Sequence, residues 1–305
     1  MINGIINVYK EKGFTSHDVV AKLRGILKQK KIGHTGTLDP DAEGVLPVCL
    51  GNGTKLCDML TDKDKTYEAV LLLGVTTDTQ DITGKVLETS KVTVVREEIE
   101  SAIMSFVGDY EQLPPMYSAI KVGGKRLYEL ARAGKEVERE TRKVRIHNIR
   151  ILEFDDENHE IRIAVHCSKG TYIRTLCHDI GIKLTCGGCM KELLRTKAGQ
   201  FTIDDSITLQ KIQDLQEKEL LSDYIVMVDQ MFLDYKKVVI AKEYTKYLYN
   251  GNSFDIKHLM EGAEYPVVDT IETSSYVRVY DWQHQFTGIY EYVGKGVFKP
   301  VKMFL

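Results

Sequence analysis

The stretch Gly33-His34-Thr35-Gly36-Thr37-Leu38-Asp39-Pro40-Asp41-Ala42-Glu43-Gly44-Val45-Leu46-Pro47-Val48-Cys49-Leu50-Gly51 constrains this chain more than any other. Gly33, Gly36, Gly44 and Pro40 exclude a regular helix or central strand over its first part. It is read as a structured loop that runs into a buried segment, Val45 to Leu50. Gly33 and Gly36 let the backbone approach a ligand closely or take a positive φ. Pro40 pushes its neighbour toward extended geometry, so Asp39 does not continue a helix. An acid fixed in such a loop serves as nucleophile or base. It serves equally to close a turn or cap the segment after Pro40. A phosphate cradle is the other use of a glycine-rich loop. Neither G-x-x-x-x-G-K-[ST] nor G-x-G-x-x-G after a strand is present, which argues against both nucleotide-loop readings.

The rest of the chain restricts the setting of that loop. Apolar residues make up 43% of the 305 positions and charged residues 28%, an ordinary soluble composition. A chain this long buries a core without metal or disulfide staples and has room for two domains. No apolar run is long enough to span a bilayer. The start lacks a basic region followed by an apolar stretch, so a signal peptide is not expected. Six cysteines are too few for a disulfide framework and fit a reducing, cytoplasmic setting. The formal net charge is −3, yet Lys10 to Lys31 carries seven basic and two acidic residues, and Lys121 to Arg150 carries ten and four. Such separation fits one basic face, or two solvated surfaces of a mildly acidic protein.

Periodicity predicts an α+β chain. Gly4 to Tyr9 reads as a strand. Thr15 or Ser16 caps a helix whose inner face carries Val19, Val20, Leu23, Ile26 and Leu27. Tyr67 to Leu73 reads as a buried strand ended by Gly74. Ile99, Ala102, Ile103 and Phe106 mark another helical face. Val144 to Phe154 and Glu160 to Cys167 read as two strands joined by a polar turn. A helix begins after Gly170 with Ile173, Leu176 and Ile180 inward. Composition shifts near Gln230 to Lys237. Beyond it come a short helix, Ala241 to Tyr249, and strand-like pieces at Val267 to Thr270, Ser275 to Tyr280, Phe286 to Tyr292 and Val297 to Phe304. These suggest a small β-rich appendage. Phe286, Tyr290 and Tyr292 are read as its core or as a stacking surface, the core being favoured for any single ring. Cys186-Gly187-Gly188-Cys189 supplies only two metal ligands where zinc sites use four, and it reads as a tight turn with incidental thiols.

The loop at residues 33 to 51 closely resembles the GHTGxLDPxAxGxLPxxxG signature of the TruB family, the bacterial tRNA pseudouridine-55 synthases. Further matches follow in order. Lys65-Thr66-Tyr67-Glu68 resembles the family's K-x-Y strand. Thr77 to Gly84 resembles its T-D-T-x-D-x-x-G turn. Gln112 to Lys121 resembles its Q-x-P-P-x-Y-S-A-x-K stretch, continued at Gly124 and Tyr128 to Arg132. Cys167 to Leu176 resembles its S-K-G-T-Y-I-R-x-L segment. The likeness covers roughly residues 3 to 230 and is weaker in the tail.

The resemblance implies a pseudouridine synthase catalytic fold, with a mixed or antiparallel central sheet and flanking helices, over residues 1–235. A thumb at about 121–145 closes on RNA, and a small PUA-like RNA-binding domain occupies 236–305. It implies conversion of one T-loop uridine of tRNA to pseudouridine with no cofactor and no metal. Asp39 matches the catalytic aspartate, which acts at ribose C1′, on the uracil ring, or on the C2′ proton. Arg174 matches the arginine that pairs with it, and Asp81 an acid that orients that arginine. Tyr67 matches the tyrosine that stacks on the target base and passes a proton at C5. His34 matches a histidine that fills the space of the flipped nucleotide. Leu194, with Leu193 as the other choice, matches the apolar side of the base pocket. Lys65 falls in the K-x-Y motif and is placed with the substrate contacts. Lys121, Lys125, Arg126, Arg132, Arg139, Arg142 and Lys143 are placed against phosphates. The expected partner is tRNA through its T-arm, elbow and acceptor stem, bound by a monomer without guide RNA or membrane. The non-enzyme alternative is an RNA-folding protein on the same scaffold. A guide-RNA-dependent relative is the third reading, against which the compact tail and the lack of long basic extensions argue.

Overall fold

The computed structural model describes residues 1–260 and 271–305. The strand-like piece Val267 to Thr270 lies outside them. The chain opens with β1 (Gly4–Lys10), α1 (Ser16–Leu27), β2 (Ile32–His34) and β3 (Glu43–Leu50). Thr15 caps α1: its hydroxyl accepts from the Asp18 N–H, and Asp18 reaches back to the Thr15 N–H. Val19, Val20, Leu23 and Leu27 are buried, and Ile26 packs at the edge of the same cluster. Next come α2 (Cys57–Thr61), β4 (Lys65–Leu73), the ribbon β5 (Val75–Thr77) and β6 (Val86–Thr89), α3 (Arg96–Met104) and β7 (Gly108–Gln112). An excursion follows, with the hairpin β8 (Lys121–Val122) and β9 (Lys125–Arg126) and the short α4 (Leu127–Arg132). The chain returns through β10 (Arg142–Asp155), β11 (Glu160–Cys167), α5 (Ile173–Lys183), β12 (Gly188–Ala198), β13 (Phe201–Thr202), α6 (Leu209–Glu217) and β14 (Ile225–Val226).

These strands form one sheet in the order β14-β1-β3-β12-β4-β11-β10-β7, with β2 on β3 and β13 on β12. Neighbours are antiparallel except β12 on β3, which are parallel. The sheet is therefore mixed, and helices flank it. α1 and α6 cover one half, burying Ile6, Val8, Leu46 and Val48 with Val20, Leu23 and Ile212. α3 and α5 cover the other, burying Ala69, Leu71, Ile163 and Val165 with Ile103, Leu176 and Ile180. Among the described residues no helix is long and apolar enough to cross a membrane.

The tail forms a second sheet from β15 (Lys236–Val239), a short helix α7 (Thr245–Tyr249), β16 (Phe254–Asp255), β17 (Tyr276–Tyr280), β18 (Phe286–Tyr292) and β19 (Val297–Met303), in the strand order β15-β17-β18-β19-β16. This curled sheet is of the PUA-like kind. Tyr290 is fully buried against Phe254 and Phe298, and Phe286 lies against Phe232 and Phe304. Both rings are core. Phe286, Ile289 and Phe304 share a cluster with Ile5, Val45, Cys49 and Leu56 of the main sheet. Asn52 Nδ2 donates to the Phe304 carbonyl at 2.7 Å, and Lys55 Nζ to the Met303 carbonyl at 3.0 Å. The tail is thus seated on the main sheet by apolar and polar contacts together.

Candidate active site

Asp39 sits in the loop from β2 to β3, and the loop's carbonyls are held in succession. Arg195 of β12, fully buried, donates Nη2 to Gly36 O at 3.2 Å, Nη1 to Thr37 O at 3.5 Å and Nε to Val45 O at 2.6 Å. Ser16 at the start of α1 accepts from the Leu38 N–H at 2.8 Å. Lys10, also fully buried at the end of β1, donates Nζ to the Pro40 and Glu11 carbonyls, each at 3.1 Å. Burial lowers the Lys10 ammonium to about 8, and the nearby acids Glu43 and Asp39 oppose that shift. Gly36 takes φ +142°, where a side chain is strained. A loop held on both flanks aims Asp39 with little freedom.

Arg174 meets it from the first turn of α5. Gln112 anchors that turn: its Nε2 donates to Tyr172 O at 2.9 Å, and the Tyr172 N–H donates to its Oε1 at 2.7 Å. Arg174 Nε lies 3.1 Å from Asp39 Oδ2, and Nη2 lies 3.4 Å from Oδ1. Nη2 also reaches Tyr117 O at 3.0 Å, while Nη1 reaches Thr79 O and Asp81 Oδ2, both at 3.3 Å. These contacts occupy the whole donor fork, and a planar guanidinium so held presents a fixed edge to a carboxylate. Asp81 is fixed in turn. Its Oδ1 accepts from Thr79 Oγ1, Thr83 Oγ1 and the Thr83 N–H. The Asp39 side chain is 41% exposed against 7% for Arg174, so the carboxylate faces an open side. Surrounding protein raises the Asp39 carboxyl above its ordinary value through desolvation, while the Arg174 charge opposes this.

Tyr67 lies on β4 and packs against the cluster under α5. Burial raises its phenol, and the Arg195 charge works against that rise. His34, on β2, is half-buried, with Nδ1 accepting from the Gly36 N–H at 3.4 Å. Burial and the Arg195 charge lower its imidazole, which keeps the ring neutral at pH 7.

The structure departs from the sequence reading in several places. β12 pairs with β4 so that Leu193 faces Ala69, Leu194 faces Glu68 and Arg195 faces Tyr67. Side chains alternate along a strand. Leu193 therefore shares Tyr67's face and packs in its cluster, whereas Leu194 points to the opposite face. Of the two leucines, Leu193 is the one on Tyr67's side of the sheet. Lys65 is buried and donates Nζ to Thr61 O at 2.5 Å and Lys63 O at 2.6 Å, closing its own loop. Arg139 donates to the Pro114 carbonyl at 3.0 Å and pairs with Glu136. Lys143 pairs with Asp109 at 3.0 Å. Lys121, Lys125, Arg126, Arg132 and Arg142 are exposed, with Arg126 and Arg132 both on the Tyr128 ring. Gly123 and Gly124 turn the hairpin at φ +58° and +83°. Cys186 and Cys189 are buried on either side of Gly187, which takes φ +75° between α5 and β12. Burial pushes both thiols up, Cys189 to about 11.

Three residues of this arrangement escaped the sequence reading: Arg195, Lys10 and Tyr172. Tyr172 stands at the N-terminus of α5 among charges that include Arg174 and Asp39. Its signal was adjacency to Arg174 in one motif. Lys10 and Arg195 gave none beyond a basic residue ending an apolar run.

Comparison with known proteins was made on this geometry. Residues 24–173 match the family described as TruB family pseudouridylate synthase (N terminal domain), and residues 174–233 match the tRNA pseudouridylate synthase B C-terminal domain. The chain is similar to tRNA pseudouridine synthase B of Lachnoclostridium phytofermentans (strain ATCC 700394 / DSM 18823 / ISDg), with 56% identity over 100% of both chains. It is 44% identical to the enzyme of the same name from Clostridium tetani (strain Massachusetts / E88), covering 99% of each. Among solved structures, a chain of a Cbf5-Nop10-Gar1 complex superposes with TM-score 0.71 at 26% identity, over 99% of this chain and 85% of that one. A chain of an H/ACA RNP bound to a substrate RNA containing 2'-deoxyuridine gives TM-score 0.69 at 24% identity, over 99% and 85%, a likeness of fold.

Proposed function

This chain belongs to the TruB family of pseudouridylate synthases, and we propose that Asp39 is the residue with which it moves the glycosidic bond. The enzyme isomerises uridine 55 of tRNA to pseudouridine. The N1–C1′ bond breaks and a C5–C1′ bond forms, so the base leaves and rejoins the same sugar. The observation that carries the assignment is the Asp39–Arg174–Asp81 array: a carboxylate on an open face, gripped along one edge by an arginine whose other donors are all engaged. Attack at C1′, addition to the ring and abstraction at C2′ all require that acid ionised, and the guanidinium favours the anion.

Placement supports a reading of the remaining roles. A base stacked in a folded loop must leave the stack to reach Asp39. His34, neutral and half-buried beside Gly36, fits the gap left by the flipped nucleotide. Tyr67 stacks on the base and Leu193 closes the apolar side. Tyr67 relays the proton that C5 loses once the C5–C1′ bond has formed, and N1 of the rejoined base takes one up, so the isomerisation balances. The excursion at about 121–145 is the thumb on the T-arm, with Lys121, Lys125, Arg126, Arg132 and Arg142 as its exposed cations. Residues 1–235 form the catalytic unit, and 236–305 bind the elbow and acceptor-stem side. The enzyme acts as a cytoplasmic monomer. The test is pseudouridine mapping on unmodified tRNA with Asp39→Asn, which keeps shape and removes charge. Turnover should be lost with tRNA binding within about tenfold, ~1.4 kcal/mol. A substantial single-turnover rate in that variant would remove Asp39 from the chemistry.

A further inference from the structure

Asp64, His147 and His166 stand together on the central sheet, outside the active site. Their ligand-capable atoms all lie within 4.8 Å of one another. We propose that they bind a divalent transition-metal cation of the zinc class. Register explains the cluster. β11 pairs with β4 so that Val165 faces Tyr67 and His166 faces Thr66. His166 therefore projects from the face opposite Tyr67. On β10 the ladder with β11 is irregular between Ile146 and Asn148, leaving His147 as the extra residue. A bulge re-aims the side chain it carries. Here it brings the His147 ring to 4.7 Å from that of His166, centroid to centroid. Asp64 precedes β4 and places Oδ2 at 3.1 Å from His147 Nε2.

The donor set selects the ion. Two imidazoles and one carboxylate suit zinc, nickel or cobalt, whereas magnesium and calcium prefer oxygen alone. Tetrahedral zinc with bonds of about 2.0–2.1 Å sets ligand atoms roughly 3.3 Å apart. The Asp64–His147 pair already spans one such edge. His166 must close by at most about 1.5 Å, within the reach of a side-chain rotation. Side-chain exposure of 31% for His147 and 49% for Asp64 leaves the outer side open to a water as the fourth ligand. The ion would tie three segments: the start of β4, the strand β10 and the strand β11. The Asp64 carbonyl also accepts from the Gly199 N–H at 2.9 Å, so the clip would brace the end of β4 that leads into Tyr67. This site supplies no step of the isomerisation. A plain histidine–aspartate contact is the competing account of the same geometry.

The experiment uses the full chain, stripped with chelator, and titrates it with Zn2+ by calorimetry and with Co2+ by visible absorption. One equivalent should bind saturably in the micromolar range and raise the melting temperature, with no such rise from Mg2+. His147→Ala/His166→Ala should melt like wild type in chelator, because both side chains are exposed, and should lose affinity by more than about 100-fold, beyond what outer-shell changes cost. Asp64→Asn should weaken binding in the same direction. The absence of saturable binding would leave the plain side-chain contact as the explanation and overturn the proposal. Equal affinity in the double variant, or a thiolate-to-cobalt charge-transfer band, would place the ion on other residues and overturn it as well.

Discussion

Replacing Arg195 with Lys tests whether the Asp39 loop owes its geometry to one buried guanidinium. Arg195 donates to three backbone carbonyls, Val45 at 2.6 Å, Gly36 at 3.2 Å and Thr37 at 3.5 Å. A lysine keeps the charge but has a single terminal nitrogen and no planar fork. It cannot meet Val45 on one side and Gly36 and Thr37 on the other together, so two contacts are lost. Hydrogen bonds to a charged group are worth about 1.5–3 kcal/mol each, so the loss is roughly 3–6 kcal/mol. At about 2 °C per kcal/mol for a chain of this size, melting falls by roughly 6–12 °C. The loop loosens at the end that leads into Asp39, and a misplacement near 1 Å costs about 100-fold in rate. The assay is single-turnover pseudouridine formation at saturating enzyme, beside thermal melting and tRNA affinity. The rate constant should fall with affinity nearly unchanged, since Arg195 is fully buried. A variant with near-normal rate and melting temperature would refute the reasoning and make Arg195 a bystander.

Three further outcomes are expected. The single-turnover rate should fall as pH drops through the Asp39 value, which desolvation by the surrounding protein raises above the ordinary 3.8. Arg174→Gln should move that limb to higher pH, because its charge opposes the rise. The linked stability has the opposite sign: a carboxyl raised on folding stabilises below its unfolded value, and that contribution is lost as pH climbs, so Asp39→Asn should melt no lower than wild type at pH 8. Replacing Lys125, Arg126 and Arg132 together should weaken tRNA binding and flatten its salt dependence by up to roughly 0.7–0.9 log–log units per lost phosphate contact; an unchanged slope would return them to a solvated surface. A chain ending near residue 235 loses Phe286, Ile289 and Phe304 from the shared cluster. At ~1.5–3 kcal/mol each that is about 5–9 kcal/mol, comparable with a whole domain's stability, so the truncation should aggregate; a soluble one with wild-type melting would show the tail to be energetically separate.

How much was legible in the residues depended on whether the signal was local. The Thr15 cap and the face of Val19, Val20, Leu23 and Leu27 were readable because one helix carries cap and period within a few turns. The Asp39 loop announced itself through Gly36, Pro40 and Gly44, whose backbone limits do not depend on distant contacts. β12 was not recognised as a strand. Its residues, Gly188 to Ala198, put Lys191 and Glu192 in succession and are interrupted by bulges against β4, so period-two alternation is broken. Its partners, β3 and β4, lie far earlier in the chain. Leu193 and Leu194 could not be told apart for the same reason, since motif position does not report a face and register does. Arg195 and Lys10 were missed because a buried cation looks like a surface one until its acceptors are known.

That unrecognised strand is what aligns the site. Through Arg195 it holds the Gly36 and Thr37 carbonyls leading to Asp39. Through the Met190 backbone it holds the Asp81 loop, with Met190 N–H donating to Gln80 O at 3.0 Å and Ile82 N–H donating to Met190 O at 2.9 Å. Through Leu193 it lines Tyr67's face. The acid comes from the half of the sheet under α1 and α6, and the arginine from the half under α3 and α5. The two halves are joined where β12 runs parallel to β3, at Leu194–Glu43 and Arg195–Gly44. Gly44 has φ +104°, and a Cβ there would lie 2.2 Å from the Arg195 carbonyl oxygen. A side chain at this point would force the strands apart and carry Asp39 away from Arg174. Gly44 is therefore a condition of the sheet's closure, and the distance between Asp39 and Arg174 is set by that closure.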